Sequence, residues 1–188
     1  MRMAWVTGVA LLLAAGSSGV EAKRVDSSRL DQLISAADAI DNGAEPARYL
    51  AATQAALDEA KRLYPADSPE VAARQADVAM GLASTSKFDE AIAMITPALP
   101  RLEKAGPRWR NAWLKGLGTL GFLSNFKGDH AKALSAYTAE VSGRRAIGRE
   151  DTELATAISN LGAAHWTAGE ANDALTLNAE AIAIGERL

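Results

Sequence analysis

The chain has 188 residues, 48% of them hydrophobic and 23% charged, which is enough for a packed core and excludes a disordered chain. Its formal charge of -3 is spread along the sequence without a basic stripe, so nucleic acid is not an expected partner. The absence of cysteine excludes disulfides, thiol nucleophiles and cysteine-held metals together.

The chain opens on the three parts of a secretory signal peptide. Arg2 gives the positive start, Trp5 to Ala15 the apolar stretch, and Gly16 to Gly19 the small, helix-poor segment. Cleavage is expected after Ala22, so residues 1–22 are a leader and the mature chain starts at Lys23. An uncleaved N-terminal anchor is the alternative, although the apolar core falls short of the roughly 20 residues a spanning helix needs. No later segment approaches that length, so the expected location is periplasmic or secreted.

Residues 23–67 are read as a tail followed by a helical hairpin, either a divergent first repeat or a cap. Asp31 to Ile40 carries Leu33, Ile34, Ala37 and Ile40 at helical spacing; Asn42-Gly43 closes it, and Pro46 to Tyr64 follows as a second helix. Three self-similar units are then predicted, at about 68–106, 107–148 and 149–188. In the first, Ser68-Pro69-Glu70 opens a helix reaching Ser84, with serine as cap and proline next. Its partner, Asp89 to Glu103, should be kinked or cut short by Pro97 and Pro100. In the second unit one helix starts near Pro107 and ends before Gly128, and its partner spans His130 to Ile147. In the third, Glu153 to Thr167 and Asn172 to Arg187 flank the turn at Gly169.

The units align on Ala91, Ala133 and Ala174, spaced by 42 and then 41 residues. Ala79, Gly121 and Gly162 fall at one equivalent position of the first helices, one residue after Val78, Leu120 and Leu161. Side chains this small let antiparallel helices approach closely. Each hairpin is expected to bury its apolar face on the next and so build one continuous core.

The pattern Leu120-Gly121 and Leu161-Gly162, turn glycines Gly128 and Gly169 (Ser86 in the first unit), and alanines on the second helices resembles the tetratricopeptide repeat. It is most similar to the long-period variant seen in kinesin light chain and related bacterial repeat proteins. Glu150 to Gly162 looks like the segment that opens such repeats, and Asp67 to Ala72 like a second copy of its opening. The family's aromatic position falls on Leu82, Ser124 and His165 and is not kept.

The resemblance implies an all-α, right-handed superhelical solenoid of stacked antiparallel helix hairpins, and a concave face used for peptide or protein binding. Transferred to this sequence, that face takes Met80, Lys115, Phe122, Asn125, Phe126, Ser159, Asn160, Ala163 and Trp166. Asn160 matches an asparagine that in relatives holds a peptide backbone, while the middle unit has Thr119 there.

Phe122, Phe126 and Trp166 either line an exposed groove or pack into the seams between units. Trp109 and Trp113, four apart, are expected to cover the preceding unit. His130 is expected to face solvent and His165 to be structural, with no metal site and no cofactor. Adjacent acids such as Asp89-Glu90 do not face one another, Gly116-Leu117-Gly118 lacks the strand a phosphate loop needs, and no catalytic residue is assigned.

The expected function is a non-catalytic protein- or peptide-binding scaffold in the periplasm. The alternative is a truncated N-terminal adaptor or sensor region of a larger enzyme or signalling protein, because Glu186-Arg187-Leu188 is not followed by a polar capping helix. Self-association through the last helix could supply the missing cap.

Overall fold

The computed structural model describes residues 26–188, so the proposed leader and its cleavage site lie outside the described residues. Among the described residues there is no strand. The α-helices in chain order are α1 (Ser28–Asp38), α2 (Pro46–Leu63), α3 (Pro69–Ser84), α4 (Phe88–Ile95), α5 (Leu99–Lys104), α6 (Arg110–Phe126), α7 (His130–Arg145), α8 (Thr152–Thr167) and α9 (Ala171–Gly185). A short 3-10 turn, Pro107–Trp109, leads into α6. The fold is an all-α solenoid of stacked antiparallel helix hairpins.

The helix starts follow local chemistry. Ser68 caps α3 by accepting from the Val71 N–H, Asp129 caps α7 from Lys132, and Asp151 caps α8 from Leu154. The Leu154 amide holds the Asp151 carboxyl below its usual range. Pro97 and Pro100 divide the second arm of the first unit into α4 and α5, as their missing N–H groups require. The first helix begins three residues before the sequence expectation, at Ser28, whose N–H donates to the Asp26 carboxylate, and Leu30 anchors that turn in the core.

The turns inside the three hairpins share one geometry. Gly128 and Gly169 have φ of 79° and 85°, and Ser86 at the equivalent place has φ of 62°, the one non-glycine in the left-handed region among the described residues. In each turn the next N–H reaches back to close the helix: Lys87 to the Leu82 carbonyl at 2.8 Å, and Asp129 to Ser124 and Glu170 to His165 at 2.9 Å. The acceptors Leu82, Ser124 and His165 are the three residues at the lost aromatic position. The turn is therefore set by the backbone and survives the loss of both the aromatic and, in the first unit, the glycine.

Successive helices pack on one another, except that the short α4 and α5 pack on α3 and α6 and not on each other. In addition α3 touches α6 and α6 touches α8, so the first helices of the three units form one row. Ala79, Ala91, Ala133 and Ala174 are fully buried, as are Gly121 and Gly162. A Cβ on Gly121 would stand 2.7 Å from the Tyr137 ring, and one on Gly162 would stand 2.8 Å from Asn178 Oδ1. Leu161 is buried, and Leu120 is partly buried against the core.

The buried apolar residues fall into two clusters that meet between α6 and α7, where Leu114 lies against Gly143 and Ala139 packs on the first cluster. One cluster of buried apolar residues runs from Leu30 to Leu123 across α1 to α6, and a second joins α7, α8 and α9 around Tyr137, Ile158 and Ile184. The reason lies in what α6 shows to α7. Gly118 lies against Glu140, Gly121 against Tyr137, and Thr119 and Ser124 are buried polar residues of the same helix. Glycine at these two positions permits close approach but brings no side chain of its own to the contact.

Candidate functional site

The row formed by α3, α6 and α8 borders a groove of about 480 Å³, within the range of small-ligand pockets. Met80 on α3, Lys115 and Phe122 on α6 and Asn160 on α8 line it. Lys115, Thr119 and Phe122 fall at helical spacing on one stripe of α6, and Thr156 and Asn160 supply the matching stripe of α8. Phe122 is 44% exposed.

The other residues of the concave-face expectation are placed differently. Phe126 continues the α6 stripe beyond the groove and is 62% exposed; its ring lies 4.0 Å, centroid to centroid, from Phe88 on α4 and 6.4 Å from Phe122. Trp166, 63% exposed, lies with Ser159 and Ala163 on another stripe of α8, outside the groove lining. All three large aromatics are thus exposed, and Phe126 also stacks on Phe88 of the preceding unit. Asn125 is partly buried and lies outside the groove lining; its Oδ1 accepts from Thr167 at 2.8 Å and meets His130 Nδ1 at 3.1 Å. It ties the second unit to the third. His130, expected to face solvent, is half-buried by that same contact. Trp109 and Trp113 pack against the first core cluster.

The groove floor carries charge that sequence reasoning missed. Asp77 on α3 pairs with Arg74 at 3.0 Å, and Glu140 on α7 accepts from Arg144 Nε at 2.8 Å. Burial pushes both carboxyls above their ordinary values, against the pull of their arginines. Tyr49 also lines the groove, and burial, with Asp77 nearby, pushes its phenol up to about 12. Glu140 belongs to a second helix, yet it reaches the groove through the gap left by Gly118. Its Oε2 lies 2.6 Å from where a Cβ on that glycine would stand.

One set of possible metal ligands occurs among the described residues. His165, Glu170 and Asp173 have donor atoms within 4.8 Å of one another at the α8–α9 turn. His165 Nδ1 and the exposed Glu170 carboxylate pair directly, which accounts for their closeness.

At the far end, α9 leaves Leu175 and Ile182 exposed, with Leu188 beyond it. No described helix is long and apolar enough to cross a membrane.

No family model and no curated protein matches the chain. Solved structures do. BtubC (BKLC) from P. vanneervenii superposes with a TM-score of 0.66 at 20% identity, over 84% of this chain and 63% of that one, so this chain spans less than two thirds of its length. A Podosopora anserina protein of nearly identical TPR-like repeats, named for kinesin light chain, gives a TM-score of 0.68 at 15% identity over 85% of this chain and 76% of its own. A point variant of that protein superposes equally well. The likeness at this level of identity is one of fold: a TPR-like repeat solenoid similar to that of kinesin light chain.

Proposed function

We propose that the protein is a non-catalytic scaffold that binds a peptide, or an extended segment of a partner protein, in the groove between α3, α6 and α8. The observation that carries this reading is the groove itself, which joins the apolar surface of Met80 and exposed Phe122 to the hydrogen-bonding groups of Lys115 and Asn160. Apolar anchors beside a few polar groups are what a recognition surface needs. Asp77 and Glu140 are held by arginines of their own helices, an arrangement that fixes charge instead of moving protons. The TPR-like fold, generally a protein-interaction scaffold, supports the same reading.

The double variant Phe122→Ala, Asn160→Ala is expected to lose capture of the native partner, while Trp166→Ala, outside the groove, keeps it. Crosslinking and mass spectrometry on envelope extracts make the comparison. A partner held equally by all three forms moves the binding surface elsewhere.

The same reading places the protein in the periplasm or outside the cell, on the strength of the leader-like residues 1–22. Mass spectrometry of protein from the envelope fraction should find an N-terminus at Lys23; intact Met1 in the cytoplasmic fraction would refute export. The exposed apolar face of α9 supports self-association through that helix, which sedimentation would read as a dimer and a monomer at high concentration would contradict.

A further inference from the structure

We infer that the exposed face of α9 is covered by α9 of a second copy of the chain, the two helices running antiparallel about a two-fold axis at Ala179. The inference deepens the self-association reading above and rests on it.

The repeat register shows what this face lacks. One and eight residues after the aligned alanines stand Ile92 and Leu99, then Leu134 and Val141, then Leu175 and Ile182. The first two pairs belong to core clusters that the first helix of the following unit completes. Leu99 meets α6 at Gly116, and Leu134 and Val141 share a cluster with Leu154 and Ile158 of α8. The third pair is 64% and 63% exposed. Trp166 repeats the pattern: its equivalent one unit earlier, Asn125, is bonded to Thr167 of the next unit, whereas Trp166 stands open. Together they form one seam face that no helix covers among the described residues.

The sequence of α9 selects a second copy as the cover. Ala179 lies on the exposed stripe and is small enough for two helices to cross there. Counted outward from it in opposite directions, Leu175 falls opposite Ala183 of the second copy and Ile182 opposite its Thr176, so each large side chain meets a small one. Asn172 falls opposite Glu186, an amide donor for a carboxylate, and the same Glu186 reaches the positive end of the facing helix. The stripe between these ends carries no charge, and the Thr176 hydroxyl already donates to the Asn172 carbonyl, so closing the face orphans no hydroxyl. The flanking Glu180 and Arg187 are paired with Arg145 and Glu150 of their own chain. Head-to-tail stacking finds no matching surface, because none of the large exposed apolar side chains lies on α1 to α5.

The chain contains no cysteine, so a single introduced thiol reports its own position. In the full chain, Ala179→Cys is expected to give a covalent dimer on mild oxidation, because the axis brings the two thiols within disulfide reach. Ala55→Cys, equally exposed but on α2, stays a single chain on a denaturing gel. By sedimentation the wild type is a dimer, and Leu175→Glu with Ile182→Glu raises its dissociation constant about a hundredfold or more. Both positions are exposed within one chain, so the helical circular-dichroism signal should not change. A wild-type monomer at high concentration overturns this inference and the self-association reading together, and gives the face to another protein's helix. A dimer indifferent to the two glutamates overturns both as well. A dimer that the glutamates break, but that Ala179→Cys does not crosslink, overturns the two-fold arrangement alone and leaves self-association through α9 standing.

Discussion

Leu114→Ala is expected to lower the unfolding free energy by about 2–5 kcal/mol, a large share of what holds a protein of this size together. Leu114 has no exposed surface and belongs to the first core cluster. Its Cδ2 occupies the space that a Cβ on Gly143 would need, so the side chain enters a hole on α7 that only glycine leaves open. It is therefore an apolar contact across the seam between the two clusters. Truncation leaves a cavity walled by helix backbone, which cannot collapse to fill it.

The shape of the unfolding curve is the sharper readout. Stacked hairpins are stabilised by their nearest neighbours, so a weakened seam uncouples the two sides. Urea unfolding of Leu114→Ala should show two transitions where the wild type shows one, with α7 to α9 melting first. A single transition displaced by less than about 1 kcal/mol would mean that the seam is held by something other than this contact.

How much of this was legible in the sequence depends on whether a feature is local. The helices and turns were, because caps, prolines and turn residues act within a few residues of themselves. Even Ser86 can be assigned to its turn from the repeat alignment, and it adopts the glycine-like φ its position demands. Exposure was not legible. Periodicity puts Phe122, Phe126 and Trp166 on a face of a helix, but how far the next helix covers that face depends on inter-unit geometry.

Glu140 was invisible for a related reason. Glutamate four residues before arginine on a helix reads as a common solvent-facing pair. Only the neighbouring α6, with glycine at position 118, turns it into a buried group lining the groove. Gly116-Leu117-Gly118 reads in the sequence as a glycine cluster without the strand of a phosphate loop, yet its third residue is what admits Glu140. The two core clusters have the same origin: Gly121 announces close approach in the sequence, but not that a tyrosine ring of the next helix fills the space it leaves.

The ion pair behind that glycine makes the second large prediction. Glu140 and Arg144 side chains keep 6% and 11% of their exposure, so each depends on the other for its charge. Arg144→Met should cost about 3–5 kcal/mol near neutral pH, because it leaves a buried carboxylate without its counter-charge. The pH dependence distinguishes this cause from simple loss of packing. Burial already raises the Glu140 carboxyl above its usual 4.5, so from that value upward the unfolded chain ionises more readily than the native one, and stability falls as pH rises through the folded value. Arg144 opposes the rise through its hydrogen bond and its charge. Removing it raises the folded value further and widens the window in which stability is lost. Below the ordinary glutamate range the carboxyl is protonated in both states, and the gap between variant and wild type should shrink. Denaturant unfolding at neutral and at acid pH measures it. A loss of equal size at both would assign the effect to the arginine's packing against its neighbours and remove charge from the account. The double variant Arg144→Met, Glu140→Leu closes the cycle: with both charges gone from a dry site, most of the lost stability should return at neutral pH.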